Sequence, residues 1–346
     1  MAEKTTVQNY FFYLATAVVI IAGIKASSEI VIILLLSVFI ASILSAFLKV
    51  LENRSVPKLL AYIILLFVLT IITLLLAYMV NTSLSSFSQN LPTYEVKIKS
   101  SIVKIISYIE SFGFTVNKEQ ILKALNFSYF FNFTTGLLGN ISAIFSKALL
   151  VLIGIAFILS ETKVFEKKLK VIFKSDNNRL TNFKLFSQNL QKYFIVKTFT
   201  SFLTGLFIFI TLIFFDIEYP ILWAVIAFLF NFIPVIGSIV AAIPAVLLSL
   251  ITGNFEITLW LILIYMIVNI TISNVLEPKF MGKELGLSPM IIFFSLIFWG
   301  WILGIVGMFL AVPITMTLKI AFESTRNTKW IGVLLSDLSR KKGHIH

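Results

Sequence analysis

Asn269, Thr271, Ser273 and Asn274 interrupt an apolar run with four neutral hydrogen-bonding side chains. At helical spacing Asn269 and Ser273 (i, i+4) share one face, and so do Thr271 and Asn274 (i, i+3). Amides and hydroxyls supply donors and acceptors without net charge, the chemistry that holds a small polyhydroxylated molecule. The same groups also join helices to one another, at about 1 kcal/mol per contact. Thr198, Thr200, Ser201 and Thr204 form a weaker set, because serine and threonine are ordinary packing residues in apolar helices; Thr204 is carried forward as a candidate contact. Among the carboxylates Glu161, Asp216, Glu218 and Glu277, all at the ends of apolar runs, Glu277 is the best placed, with Pro278 directly after it. Its alternative role is a helix-terminal surface carboxylate.

Two further clusters break apolar runs from within. "NFIPVIG" (231–237) combines Asn231, Pro234 and Gly237. Proline removes a backbone donor and displaces the carbonyl a turn earlier, and glycine permits a sharp turn. In hydrocarbon a freed backbone group costs several kcal/mol, so this cluster must line a cavity or be covered by neighbouring helices, as in a kinked helix packed against protein. "FWGWILGIVG" (298–307) repeats the design with Trp299, Gly300, Trp301, Gly304 and Gly307. There the alternative is an interfacial tryptophan belt with glycines that merely pack helices closely.

These groups need apolar helices to carry them, and the composition supplies them. Of 346 residues, 59% are hydrophobic and 13% charged, against about 45–50% and 25% in a soluble domain. The chain belongs to the membrane class. It contains no cysteine, and its only histidines are His344 and His346. Disulfides, thiolate metal sites and a membrane-buried histidine base are excluded, and with no acidic residue in the apolar cores an intramembrane enzyme lacks its usual bases and metal ligands. No organic cofactor or bound metal is expected. A coupling Na+ or H+ is the one exception, since sodium can be held by carbonyl and amide oxygens at a broken helix.

Apolar runs long enough to cross a bilayer occupy residues 10–24, 30–48, 59–80, a stretch ending at 149–160, 198–215 and 259–276. The first reads as a retained span, because no small-residue cleavage site follows it. Runs 221–251 and 290–321 each hold about 30 residues, on the order of 45 Å of helix against a hydrocarbon core of about 30 Å. Each is broken near its middle, which suits a hairpin folded back on itself. Basic residues gather between the second and third runs, between 163 and 192, and in the tail, whereas 215–220 carries Asp216 and Glu218 without a lysine or arginine. The positive-inside rule then puts both termini in the cytoplasm. The net charge of +12 is topology, and no nucleic-acid partner is expected. The hairpin at 221–251 enters from outside and that at 290–321 from inside. The expected fold is all-α: a polytopic helical membrane protein with two opposite-facing re-entrant helical hairpins, an inverted repeat. An eight-span arrangement with two kinked crossings obeys the same charge rule; length favours the hairpins.

"NFIPVIGSIVAAIPAVLLSL" (231–250), "EPKFMGKELGLSP" (277–289) and "WGWILGIVGMFLAVPIT" (299–315) resemble the signatures of the autoinducer-2 exporter family of bacterial membrane proteins, in the family's order and across nearly the whole chain. Ser238 stands where many relatives have a second proline. The resemblance implies a multi-pass protein of the bacterial cytoplasmic membrane that exports a small solute such as autoinducer-2. It also implies a homo-oligomer, a pentamer; some members are described as sodium or lithium/proton antiporters. The expected division is a scaffold of helices at 1–80, an outer amphipathic segment at 81–140 with a turn at "GFTVN" (113–117), a span at 141–161, a basic amphipathic linker at 162–197 beside lipid headgroups, a transport core at 198–321 and a basic tail at 322–346. An elevator-like displacement of the core against the early spans is the expected motion.

Overall fold

The computed structural model describes residues 2–111, 128–172, 177–234, 236–252, 255–281, 286–323 and 328–337. Among the described residues the structure is helical, with one isolated antiparallel bridge between Leu287 and Ser336. The helices are α1 (Ala2–Ala26), α2 (Ser28–Asn53), α3 (Lys58–Ser111), α4 (Ser128–Ser146), α5 (Ala148–Ile172), α6 (Asn177–Phe214), α7 (Pro220–Phe230), α8 (Ile236–Ile251), α9 (Phe255–Thr271), a π-helical turn (Ile272–Leu276), α10 (Glu277–Met281), α11 (Pro289–Glu323) and α12 (Lys329–Leu335). Five of them are long and apolar enough to cross a membrane, within Ser28–Asn53, Lys58–Lys97, Ser187–Phe214, Phe255–Met281 and Pro289–Glu323. A sixth candidate is the pair Phe131–Ser146 and Ala148–Thr162, bent by 46° at Lys147. The expected turn at 113–117 lies outside the described residues.

Two of the expected boundaries fall inside helices. α3 runs through residue 81 and through Pro92 without a break, although the asparagines, serines and proline after Val80 are poor formers of a helix interior. The basic linker likewise begins within α5 and ends within α6.

The helices group into two compact units. The first comprises Met1–Leu65, Leu149–Phe194 and Lys283–His346. Here α2 and α5 approach so closely that Ser37 Oγ donates to the carbonyls of Ile33 (2.7 Å) and Val151 (3.2 Å). Gly154 makes room for this, since a Cβ there would overlap Ser37. Tyr62 donates to the Leu159 carbonyl at 2.9 Å, and Gln191 Nε2 donates to Ser45 Oγ at 2.6 Å and to the Ser42 carbonyl at 2.9 Å.

In this unit α11 reverses direction at Gly304, whose φ of 64° and ψ of −150° only glycine adopts without strain. Trp299 Nε1 consequently donates to Thr315 Oγ1 at 3.1 Å, although sixteen residues of straight helix would separate them by about 24 Å. α11 is thus a helical hairpin with arms 289–303 and 305–323. At its base the Ser288 and Asp337 amides donate to the carbonyls of Leu335 (3.2 Å) and Gly286 (3.3 Å), which clamps α12 to the segment entering the hairpin.

The second unit comprises Leu66–Ala148 and Ile195–Gly282. Pro220 opens α7 at its first turn, where the missing N–H is no loss. α7 ends at Phe230, and the chain turns through 231–234 into α8. α7 and α8 form the other hairpin. Ser249 Oγ donates to Thr258 Oγ1 at 2.9 Å and ties α8 to α9. The turn before α7 holds Asp216 and Tyr219 in left-handed backbone (φ 53° and 60°), a strain of order 1 kcal/mol each. It is held from α3, where Asn90 Nδ2 donates to the Tyr219 hydroxyl at 2.8 Å, Tyr94 donates to the Glu218 carboxylate, and the Phe87 ring packs edge-on to Tyr219 (5.9 Å) and Trp223 (5.5 Å).

Candidate functional site

The candidate residues fall into two groups. Asn231, Pro234, Gly237, Asn269, Ser273, Asn274, Glu277 and Thr204 belong to the second unit, and Trp299, Gly300, Gly304 and Gly307 to the first.

In the second unit the turn between α7 and α8 differs from the expectation of freed backbone. The amides of Asn231, Phe232, Ile233, Ile236 and Gly237 all find carbonyls within the turn, at 3.0, 3.2, 2.8, 2.7 and 3.3 Å. Pro234 sits where no donor is missed. Gly237 is buried against the first arm, and a Cβ there would overlap the Phe230 carbonyl oxygen. The polar load therefore lies on side chains. Asn231, only 4% exposed, donates through Nδ2 to Ser201 Oγ at 3.0 Å. Asn269 Nδ2 donates to Ser238 Oγ, and Asn269 Oδ1 accepts from Ser273 Oγ at 3.3 Å. The predicted Asn269–Ser273 face thus exists. Thr271 and Asn274 are exposed instead; Thr271 lies about 200° around the helix from Asn269, and Asn274 falls within the π turn.

Replacing Asn231 by alanine leaves the buried Ser201 hydroxyl without this donor. A loss of about 1–3 kcal/mol is expected, read as a lower midpoint of thermal unfolding in detergent.

Glu277 is not a surface carboxylate. Both its oxygens accept from Lys197 Nζ, at 2.8 and 2.9 Å, and the side chains are 17% and 4% exposed. Both residues lie within candidate membrane spans. Lys197 went unseen among the candidates, yet it is the one charged residue between 193 and 214 and stands four and seven positions before Ser201 and Thr204, on one helical face. The opposing helix presents Tyr265, Asn269, Ser273 and Glu277, each four residues from the next. A strict i+4 stripe drifts around an α-helix. The widened turn at 272–276, in which the Glu277 amide donates to the Ile272 carbonyl, absorbs the extra residue and keeps Glu277 in line.

Between these faces Thr204, Ile208, Ala227, Ser238, Ala241, Tyr265, Val268 and Asn269 border a cleft of about 10 Å³, room for about one water. Thr204 Oγ1 donates to the Thr200 carbonyl at 3.0 Å and turns its lone pairs outward. Tyr265 is 7% exposed, and its hydroxyl is buried without a hydrogen-bond partner among the described residues, an arrangement costing about 1–3 kcal/mol. The sequence marks Ser238 only as a departure from proline and gives no role to Tyr265. Tyr265 shows itself only through its one-turn spacing from Asn269.

In the first unit Trp299 is buried and hydrogen-bonded to Thr315, not part of an interfacial belt. Gly307 lies against the Trp299 carbonyl, where a Cβ would overlap it, and Gly300 faces Met308 across the hairpin. Trp301 is exposed, with Lys25 Nζ 3.7 Å from its ring centre. The arms of α11 and α12 border an open groove of about 580 Å³, lined by Phe294, Phe298, Trp301, Phe322 and other apolar groups with only Ser295 and Thr315 polar. The polar void is the smaller one.

Helices of this length and apolarity, broken by two hairpins around buried polar groups, define a multi-pass helical membrane protein. The family model for AI-2E family transporters matches residues 14–327. The chain belongs to that family, whose members are transport proteins and not enzymes. It is 32% identical over 328 residues to the AI-2 transport protein TqsA of Escherichia coli, covering 95% of each chain. It is 36% identical over 344 residues to a protein of Haemophilus influenzae with a provisional transport assignment, covering 98% of this chain and 99% of that one. A Borreliella burgdorferi protein of the same provisional assignment is 30% identical over 346 residues, with 98% and 94% covered.

Proposed function

We propose that this transporter exports a small uncharged polar solute, autoinducer-2-like, across the bacterial cytoplasmic membrane by alternating access. The observation that carries the reading is the cleft of the second unit. Thr204, Ser238, Tyr265 and Asn269 border it, and no charged side chain does. Neutral donors and acceptors in a dry setting favour a neutral ligand, since an ion there lacks a counter-charge. The relative named for AI-2 transport supports the same substrate class. In this reading both termini are cytoplasmic, the α7–α8 and α11 hairpins are re-entrant from opposite sides, the core moves in an elevator-like manner, and the protein works as a homo-oligomer, a pentamer, in contact with membrane lipids.

Efflux from reconstituted vesicles tests it. Autoinducer-2 is expected to leave loaded vesicles, and Asn269→Ala is expected to slow this at least tenfold per folded molecule, measured below its unfolding temperature. Equal flux through protein-free vesicles sinks the proposal.

A second reading, a sodium or lithium/proton antiporter or ion channel, is favoured by the Lys197–Glu277 pair, since an ionisable pair inside membrane spans often marks an ion pathway. Sodium- or lithium-driven pH changes in the same vesicles, without autoinducer flux, select it. Both together make Na+ or H+ the coupling ion.

A further inference from the structure

We propose that the Tyr265 hydroxyl is a solute-contacting, specificity-determining group, which donates its hydrogen bond to a carbonyl or hydroxyl oxygen of a small uncharged polar molecule. The proposal rests on the transport reading above and assigns a residue that lies outside the family signatures.

The argument begins with which hydrogen-bonding capacity around the cleft is already committed. Asn269 gives one of its two amide hydrogens to Ser238 and receives the Ser273 hydroxyl on its oxygen. Thr204 gives its hydrogen to the Thr200 carbonyl. Tyr265 alone among the four polar residues bordering the cleft has a hydroxyl with no partner among the described residues, although the side chain is 7% exposed. A buried phenol normally reaches a partner, so one is missing.

Ile208, Ala227, Ala241 and Val268 complete the wall. Their apolar atoms offer nothing to an ionised group, whereas Thr204, on the same cleft, keeps acceptor lone pairs on Oγ1. The ligand that fits takes one hydrogen bond from Tyr265, gives one to Thr204, and carries no charge: a vicinal diol or hydroxyketone of a few carbons. At about 10 Å³ the cleft admits only a water as it stands. The solute therefore enters when α8 and α9 part, and water takes its place when they close.

The test is Tyr265→Phe, which removes one oxygen and keeps the ring. Because that oxygen has no partner within the fold, the variant is expected to unfold in detergent at the same temperature as the parent or higher. A midpoint lowered by several degrees overturns the proposal, since the hydroxyl would then be holding the structure together.

In vesicles, with autoinducer-2 and erythritol as probes, the half-saturating concentration for a transported probe is expected to rise about threefold to tenfold, the loss of one neutral hydrogen bond. An unchanged value in Tyr265→Phe, beside slowed flux in Asn269→Ala, means that the phenol meets only water. That sinks this proposal and leaves the transport reading standing. If the parent protein moves neither probe, the transport reading fails and this inference falls with it.

Discussion

Glu277→Ala is expected to destabilise the folded protein by about 3–5 kcal/mol, because it leaves the Lys197 ammonium buried and unpaired. The two charges approach at 2.8 Å with side chains 4% and 17% exposed, so solvent screens them little. The pair is not expected to be a large net source of stability. Removing two charges from water offsets most of their attraction, and well-packed apolar replacements often do as well or better. The double variant Lys197→Met with Glu277→Leu is therefore expected to recover most of the lost stability. Thermal unfolding of the single and double variants measures this, and a double variant as unstable as Glu277→Ala would contradict the account. Transport by the double variant then separates two roles. Restored stability with absent flux means the charges act in the transport cycle, and restoration of both means the pair only orients α6 against α10.

Gly307→Ala and Gly237→Ala are expected to be comparably damaging, at about 3 kcal/mol or more each. In both hairpins the glycine of the second arm lies on a backbone carbonyl of the first: Trp299 for Gly307 and Phe230 for Gly237. A flexible side chain yields to an added methyl, but a carbonyl fixed in a helix does not, so the arms must separate. Gly304→Ala makes a useful contrast. Nothing lies within reach of an added Cβ there, and its expected cost comes only from backbone at φ 64° and ψ −150°, a region essentially reserved to glycine, about 1–3 kcal/mol. Unfolding midpoints that rank Gly304→Ala as the most harmful of the three would refute the close-approach argument.

What could be read from the sequence follows from how each feature is encoded. The apolar runs and their two interruptions are local, and hydrophobic length together with glycine and proline marks them; the helices break at both, between Phe230 and Ile236 and at Gly304. The Asn269–Ser273 face is local in the same sense. The partner of Glu277 is not, since Lys197 lies 80 positions away and only the fold brings the two together. Ser238 as the partner of Asn269 is hidden for the same reason. The π turn has no residue signature; Ile272–Leu276 reads as ordinary helix, and the face that Thr271 and Asn274 share in that reading is exposed. At "NFIPVIG" the break was visible but its meaning shifted: the backbone amides pair within the turn, and Asn231 carries the buried polarity.

The five-residue turn at Ile272–Leu276 also makes the chain tolerant of one change in length. A wide turn holds one residue more than regular helix needs for the same advance. A chain shorter by one there would tighten into regular helix, and the segments on either side would keep their facing. Asn269 would hold its place and Glu277 would still meet Lys197. A deletion in the regular helix ahead of it, at Met266, would instead turn Asn269 and Glu277 by about 100°.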